Sequence, residues 1–182
     1  MERTFVMIKP EGVKRKLIGE IIKRIEQVDL KIVAMKMIQP KKDFVEKFYP
    51  SDEEWFRSVG ERAKKAFLKQ KLDIKKSYGT KDVVEMGKVV KKWVVDYITS
   101  GPVVGMMIEG NKAISIMRKL CGGTYPDKAL AGTIRGDFSS ESVEYANVED
   151  RSIQNIIHTS ANEKEAENEI NLWFKKEEIV SD

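Results

Sequence analysis

Four short apolar runs, at residues 4–8, 31–38, 103–108 and 155–158, set the frame of this chain, because each is rich in β-branched, aromatic or methionine side chains and is bounded by turn residues. Between them the apolar period changes from two to about 3.6. Ile18, Ile21, Ile22 and Ile25 fall at i, i+3, i+4 and i+7, with Lys23, Arg24 and Glu26 on the other face, which predicts an amphipathic helix. Met86, Val90, Trp93, Val94 and Tyr97 form a second stripe, stopped by Ser100, Gly101 and Pro102. A further helix is expected over about 112–121, closed by Gly122 and Gly123. Two Ser-x-x-Glu signatures, Ser51 to Glu54 and Ser160 to Glu163, read as capping boxes. The first opens a helix at Asp52 with Trp55 and Phe56 in its first turns. The second opens a helix burying Ala166, Ile170, Trp173 and Phe174, and so places His158 just before a helix N-terminus. Strands alternating with helices, with two helices inserted after the second strand, predict an α+β sheet covered by helices.

At 182 residues the chain suits one well-buried core, so a single domain over 1–182 is expected. Glu2, Arg3 and Lys9 interrupt the start, and no apolar run approaches the roughly 20 residues of a membrane helix, which points to a cytoplasmic protein with no membrane partner. The lone cysteine, Cys121, excludes an intrachain disulfide and is expected to pack. The net charge of +4 is unevenly spread: between Arg57 and Lys92 there are 12 Lys and Arg against 4 Asp and Glu, so the remainder is mildly acidic.

The single histidine carries the sharpest chemical signal. A mostly neutral imidazole at a strand end, ahead of a helix N-terminus that favours negative charge, can attack phosphorus without a strong base. Lys9, Arg118 and Arg135, the arginines bordering a loop with Gly132 and Gly136, can neutralise a polyphosphate.

RTFVMIKPEGV at the start, SGPVVGMMIEG at 100–110, GTIRGDF at 132–138, NIIHTS at 155–160 and the following EINLWF closely resemble nucleoside diphosphate kinases. The resemblance implies a ferredoxin-like βαββαβ fold and phosphoryl transfer from a nucleoside triphosphate to a nucleoside diphosphate, with His158 as the phosphorylated residue. By motif position Lys9 corresponds to the lysine at the ribose hydroxyls and the phosphate end, and Asn155 to the residue that contacts the 3′-hydroxyl. Arg118, Thr124 and Arg135 correspond to the phosphate binders, and Gly132 to the loop glycine beside the phosphates. Tyr49 matches the tyrosine beside the histidine, and Ser160 and Glu169 the pair that supports it. The base-stacking aromatic falls on Trp55 or Phe56. The resemblance also implies Mg²⁺ bound with the nucleotide phosphates, no metal ligands of the protein's own, and a homo-oligomer, hexamer or tetramer.

Thr159, Ala161, Ala131 and Ser152 depart from the family's usual residues, and two insertions lie near 63–84 and 139–150. The first is basic; the second holds Glu141, Glu144, Glu149 and Asp150, so the two are expected to meet, within or between subunits. The competing function is a nucleic-acid-binding or assembly protein that uses the basic stretch. A pure binder has no need of a nucleophile among its phosphate contacts, which favours the enzyme.

Overall fold

The structure, a computed structural model, describes residues 1–180. Its elements are β1 Glu2–Ile8, α1 Pro10–Lys14, α2 Ile18–Glu26, β2 Lys31–Ile38, α3 Lys42–Phe48, α4 Glu53–Lys69, α5 Ile74–Tyr78, α6 Val83–Thr99, β3 Val103–Gly110, α7 Ala113–Cys121, α8 Ile134–Phe138, α9 Val143–Val148, β4 Ile157–Thr159 and α10 Glu163–Trp173. The described residues group into two compact units: Met1–Gln39, Gly101–Ser140 and 155–180 form the first, Pro40–Ser100 and Glu141–Gln154 the second.

The first unit holds the sheet, in the order β2-β3-β1-β4 with each neighbouring pair antiparallel, as expected of the ferredoxin-like α+β class. Central β1 is covered on both faces, which is why Phe5, Val6, Met7 and Ile8 are uniformly apolar and at most 1% exposed. Val6 and Ile8 pack with Ile21 and Ile25 of α2 and Met117 of α7. Each such side chain contributes about 1.5–3 kcal/mol by leaving water. On the other face Phe5 lies against Trp173 of α10, ring centroids 5.0 Å apart. Gly105 makes that packing feasible, since a Cβ there would stand 2.4 Å from the Trp173 ring. In register, His158 lies opposite Met7 of β1.

In the second unit α4 and α6 touch backbone to backbone. A Cβ at Gly60 would lie 1.8 Å from the Val83 carbonyl oxygen, and one at Gly87 2.0 Å from that of Phe56. The lysine-rich sequence that carries little apolar pattern nonetheless folds into the end of α4 and α5. Phe67, Ile74, Tyr78 and Met86 suffice for a small core of its own, Phe67 meeting Tyr78 edge-on at 4.9 Å. The basic and acidic segments do meet within this unit: Asn147 Nδ2 donates to Gln70 Oε1 at 2.9 Å, and Glu141 pairs with Arg151 at 2.9 Å.

Both predicted capping boxes shift. The α4 cap is Asp52, whose carboxylate accepts from Trp55 N, while Ser51 turns its hydroxyl to Lys91. The α10 cap is Asn162, because the Ser160 hydroxyl is committed to Phe5 and Glu169. The last strand is also displaced from 155–158 to Ile157–Thr159, since Ile156 has φ +66° and cannot join the ladder. The turn expected after β1 is the one-turn helix α1, with Pro10 where its missing N–H costs nothing.

Candidate functional site

The site grows from the C-terminal end of β1 and the segment that leads into β4. Lys9 follows β1 and is 9% exposed; its Nζ donates to Asn155 Oδ1 at 2.6 Å. Asn155, 3% exposed, donates from Nδ2 to the Thr124 carbonyl at 2.9 Å, which ties the loop after α7 to the same lysine. Burial, and after it the neighbouring Arg135, bring the Lys9 ammonium down from 10.5 to about 7, with Cys121 and Glu11 partly opposing.

Arg135, in α8, spreads its guanidinium over four backbone carbonyls: Nε to Asn155 at 3.2 Å, Nη2 to Ile157 at 2.7 Å, and Nη1 to Gly122 at 2.9 Å and Gly123 at 3.2 Å. It therefore braces both the strand entry and the glycine turn while leaving a fixed positive charge between them. Arg118 is exposed in the last turns of α7. The buried Cys121 thiol registers all three cations, for burial pushes it up while Arg135, Lys9 and Arg118 draw it down.

His158 sits in β4 on the α10 face of the sheet. Its Nε2 is 2.7 Å from Glu169 Oε1, and Ser160 donates to Glu169 Oε2 at 2.6 Å. The Ser160 hydroxyl in turn accepts from Phe5 N at 3.2 Å, so the carboxylate is anchored to β1 through a side chain that is fully buried. A carboxylate accepting from Nε2 fixes the ring and the tautomer, placing the lone pair on Nδ1. The structure thus brings His158, Ser160 and Glu169 into one hydrogen-bonded chain, and Lys9, Thr124, Arg135 and Asn155 into another. The two are joined by the two residues between Asn155 and His158, Ile156 and Ile157.

Gly132 adopts φ +87°, and its N–H is held by Asp137 Oδ1 at 2.8 Å, with Asp137 paired to Arg24 at 2.6 Å. The loop is fixed from within the first unit. Tyr49, Trp55 and Phe56 belong to the second unit, Tyr49 ending α3 and the other two opening α4, each half-buried.

The profile described as nucleoside diphosphate kinase matches residues 2–64 and 63–179. The chain is 46% identical over 180 residues to the nucleoside diphosphate kinase of Pyrobaculum aerophilum, an alignment covering 99% of this chain and 98% of that one. The chain belongs to the nucleoside diphosphate kinase family. The crystal structure of an NDP kinase from Pyrobaculum aerophilum superposes with a TM-score of 0.97 at 44% identity, over 99% of each chain. A transition state mimic of the Borrelia burgdorferi nucleoside-diphosphate kinase, with bound vanadate and ADP, superposes with a TM-score of 0.80 at 37% identity, over 99% of this chain and 90% of that one.

Within this nucleoside diphosphate kinase fold, two residues that depart from the usual motif have defined local contacts, though nothing in the structure explains alanine at 161. Thr159 pairs with Val6 in the sheet and hydrogen-bonds the Cys121 thiol, and Ala161 N is held by Glu165 Oε2 at 2.8 Å. Sequence patterns gave no hint of Glu11, whose Oε2 accepts from Ile156 N at 3.3 Å, nor of Lys91, buried in α6 with its ammonium on the carbonyls of Glu46, Tyr49 and Pro50 at 3.0–3.1 Å. Helical spacing alone puts Lys91 beside the apolar stripe, where a lysine ordinarily snorkels to water. No described helix is long and apolar enough to cross a membrane.

Proposed function

We propose that the protein carries the terminal phosphoryl group of a nucleoside triphosphate to a nucleoside diphosphate through phosphohistidine at His158. The observation that carries this reading is the hydrogen-bonded chain from His158 Nε2 through Glu169 to Ser160, which supports Nδ1 as the nucleophile. The Nδ1 lone pair forms the bond to the γ-phosphorus as the bond from that phosphorus to the β-bridging oxygen breaks, and the electron pair leaves with the diphosphate. The ring becomes cationic, and the Glu169 carboxylate on Nε2–H offsets that charge. In the second half-reaction a β-phosphate oxygen of the acceptor attacks the phosphorus, and the electron pair returns to Nδ1. No proton need leave the site in either step.

Lys9, Arg118, Arg135 and the Thr124 hydroxyl bind the phosphates, and Asn155 the ribose 3′-hydroxyl. Mg²⁺ arrives on the phosphate oxygens. The charged groups gathered around the phosphate site are mainly cationic, and Glu169 is committed to His158 and Ser160, a donor set suited to a magnesium-bearing polyphosphate. The roles of Tyr49 beside the histidine and of Trp55 or Phe56 under the base rest on motif position. The two compact units are read as one kinase domain because the family profile runs through both. A cytoplasmic homo-oligomer, hexamer or tetramer, is part of the same reading, on the family resemblance.

With γ-labelled ATP and Mg²⁺ and no acceptor, the protein should take up label that is lost in acid, survives alkali and passes to any added nucleoside diphosphate. His158→Ala should take up none while still binding ADP. Label retained by His158→Ala would refute the assignment.

A further inference from the structure

We propose that Glu11 is a positioning residue for this reaction, holding through its carboxylate the left-handed turn at Ile156 that sets both Asn155 and His158. The inference rests on the phosphohistidine reading above.

Ile156 has φ +66° and is fully buried. A β-branched residue is strained there, and such a conformation survives where its surroundings over-determine it. Ile157 N donates back to Asn155 O at 2.7 Å, closing a three-residue turn around Ile156. Bonds from three directions hold that turn. The Ile156 carbonyl accepts from Lys9 N at 2.7 Å, Arg135 holds the carbonyls on either side through Nε and Nη2, and Glu11 Oε2 takes the Ile156 N–H at 3.3 Å.

The approach of Glu11 depends on its neighbour. A Cβ at Gly12 would lie 2.8 Å from Ile8 Cγ2, 3.2 Å from Ile156 Cγ2 and 3.3 Å from the Ile156 oxygen, so α1 can run this close to the turn because residue 12 is glycine. Glu11 is itself steadied by Arg15, one helical turn on, at 3.3 Å. Remove the carboxylate and a buried N–H at a strained residue loses its side-chain acceptor, so the incentive to remain left-handed falls. If Ile156 relaxes, the peptide planes on both sides rotate. Asn155 then moves relative to Lys9, and His158 moves relative to Met7 and Glu169. Unlike Lys9 and Arg135, Glu11 is no phosphate partner, so its contribution through the turn can be separated from binding.

A second route exists for an effect of Glu11, because its charge also raises the Lys9 ammonium. The test separates the two routes. Single-turnover labelling of His158 by γ-labelled ATP with Mg²⁺ is measured for the wild type, Glu11→Ala and Glu11→Gln, each also in an Ile156→Gly background. Glu11→Ala should label tenfold to a hundredfold more slowly. Glu11→Gln, which keeps an acceptor oxygen but no charge, should return to within about threefold of wild type. Glycine sits at φ +66° without help, so Glu11→Ala should cost about threefold or less when combined with Ile156→Gly. If Glu11→Ala does not fold, Glu11→Ser takes its place with the same expectations. Labelling by the truncated variant within twofold of wild type, Glu11→Gln as slow as the truncation, or an undiminished cost in the Ile156→Gly background would each overturn the proposal. A wild type that takes up no label would instead overturn the phosphohistidine reading, and with it the role of Glu11 in this reaction.

Discussion

Each of the two compact units buries a lysine, and the two lysines are treated differently. Lys91 in the second unit lies across the end of α3, its ammonium ringed by three carbonyls and the Ser51 hydroxyl. Its surroundings are acceptors, and the carboxylates of Glu46 and Asp52 oppose part of the lowering that burial imposes. Lys9 in the first unit meets a side-chain amide oxygen and stands against Arg135, a second cation that adds to the cost of its charge. A cation saturated by carbonyls ties chain to chain. A lysine set beside another cation is arranged for an anion still to come, and for these two lysines that contrast separates scaffold from site more sharply than burial does.

The contrast breaks if the two lysines respond alike to the same substitution. Lys9→Met should slow His158 labelling about a hundredfold to a thousandfold, the usual loss for one transition-state charge partner. Its folding stability should change less than that of Lys91→Met, because losing the donor to Asn155 is offset by removing a desolvated group whose charge is opposed by Arg135. Lys91→Met should act mainly on stability, losing about 2 kcal/mol as the carbonyls of Glu46, Tyr49 and Pro50 lose their donor. For a chain of this length that amounts to roughly 4–8 °C in Tm, measurable by thermal unfolding. Equal Tm losses for the two variants would dissolve the distinction.

The two units also differ in how far the sequence discloses them. In the first unit the alternating apolar runs and the Ile18–Ile25 stripe act locally, so period suffices to place them, whereas the motifs around Lys9, Arg135 and His158 are legible through their likeness to the family. What stays hidden there is set by contacts distant in sequence. Nothing near Ser160 tells that its hydroxyl serves Phe5 and Glu169 rather than the helix cap, and nothing near Ile156 tells that Lys9, Glu11 and Arg135 hold it left-handed. In the second unit the pattern is weak because a close helix pair needs glycine rather than apolar bulk at Gly60 and Gly87. Lys91 is buried by a hydrogen-bonding role that composition cannot express. The two insertions meet, as their opposite charges lead one to expect, and the contact includes a neutral pair, Gln70 and Asn147, that charge counting does not point to.

The finest test of the lysine contrast is a proton count. Lys9 titrates at about 7 in the folded protein against 10.5 for the ordinary side chain, so between those values the unfolded chain binds a proton that the folded chain does not. By linkage, Lys9 makes the nucleotide-free protein more stable as pH rises through 7 toward 10.5. A phosphate beside the ammonium favours its charged form and restores the proton. Binding of ADP at pH 8, where the diphosphate is already ionised, should therefore take up most of one proton. At pH 6, where Lys9 is already protonated, it should contribute none. Calorimetric titration in buffers of different ionisation enthalpy measures the uptake directly, and the upward slope of stability with pH should flatten in saturating ADP. Lys91, whose acceptors are carbonyls already in place, should contribute nothing to the count, so Lys91→Met should bind ADP with the same uptake as wild type. Uptake near zero at pH 8 in the wild type would mean that Lys9 keeps its proton in the nucleotide-free protein, and the two buried lysines would then differ in partners but not in charge.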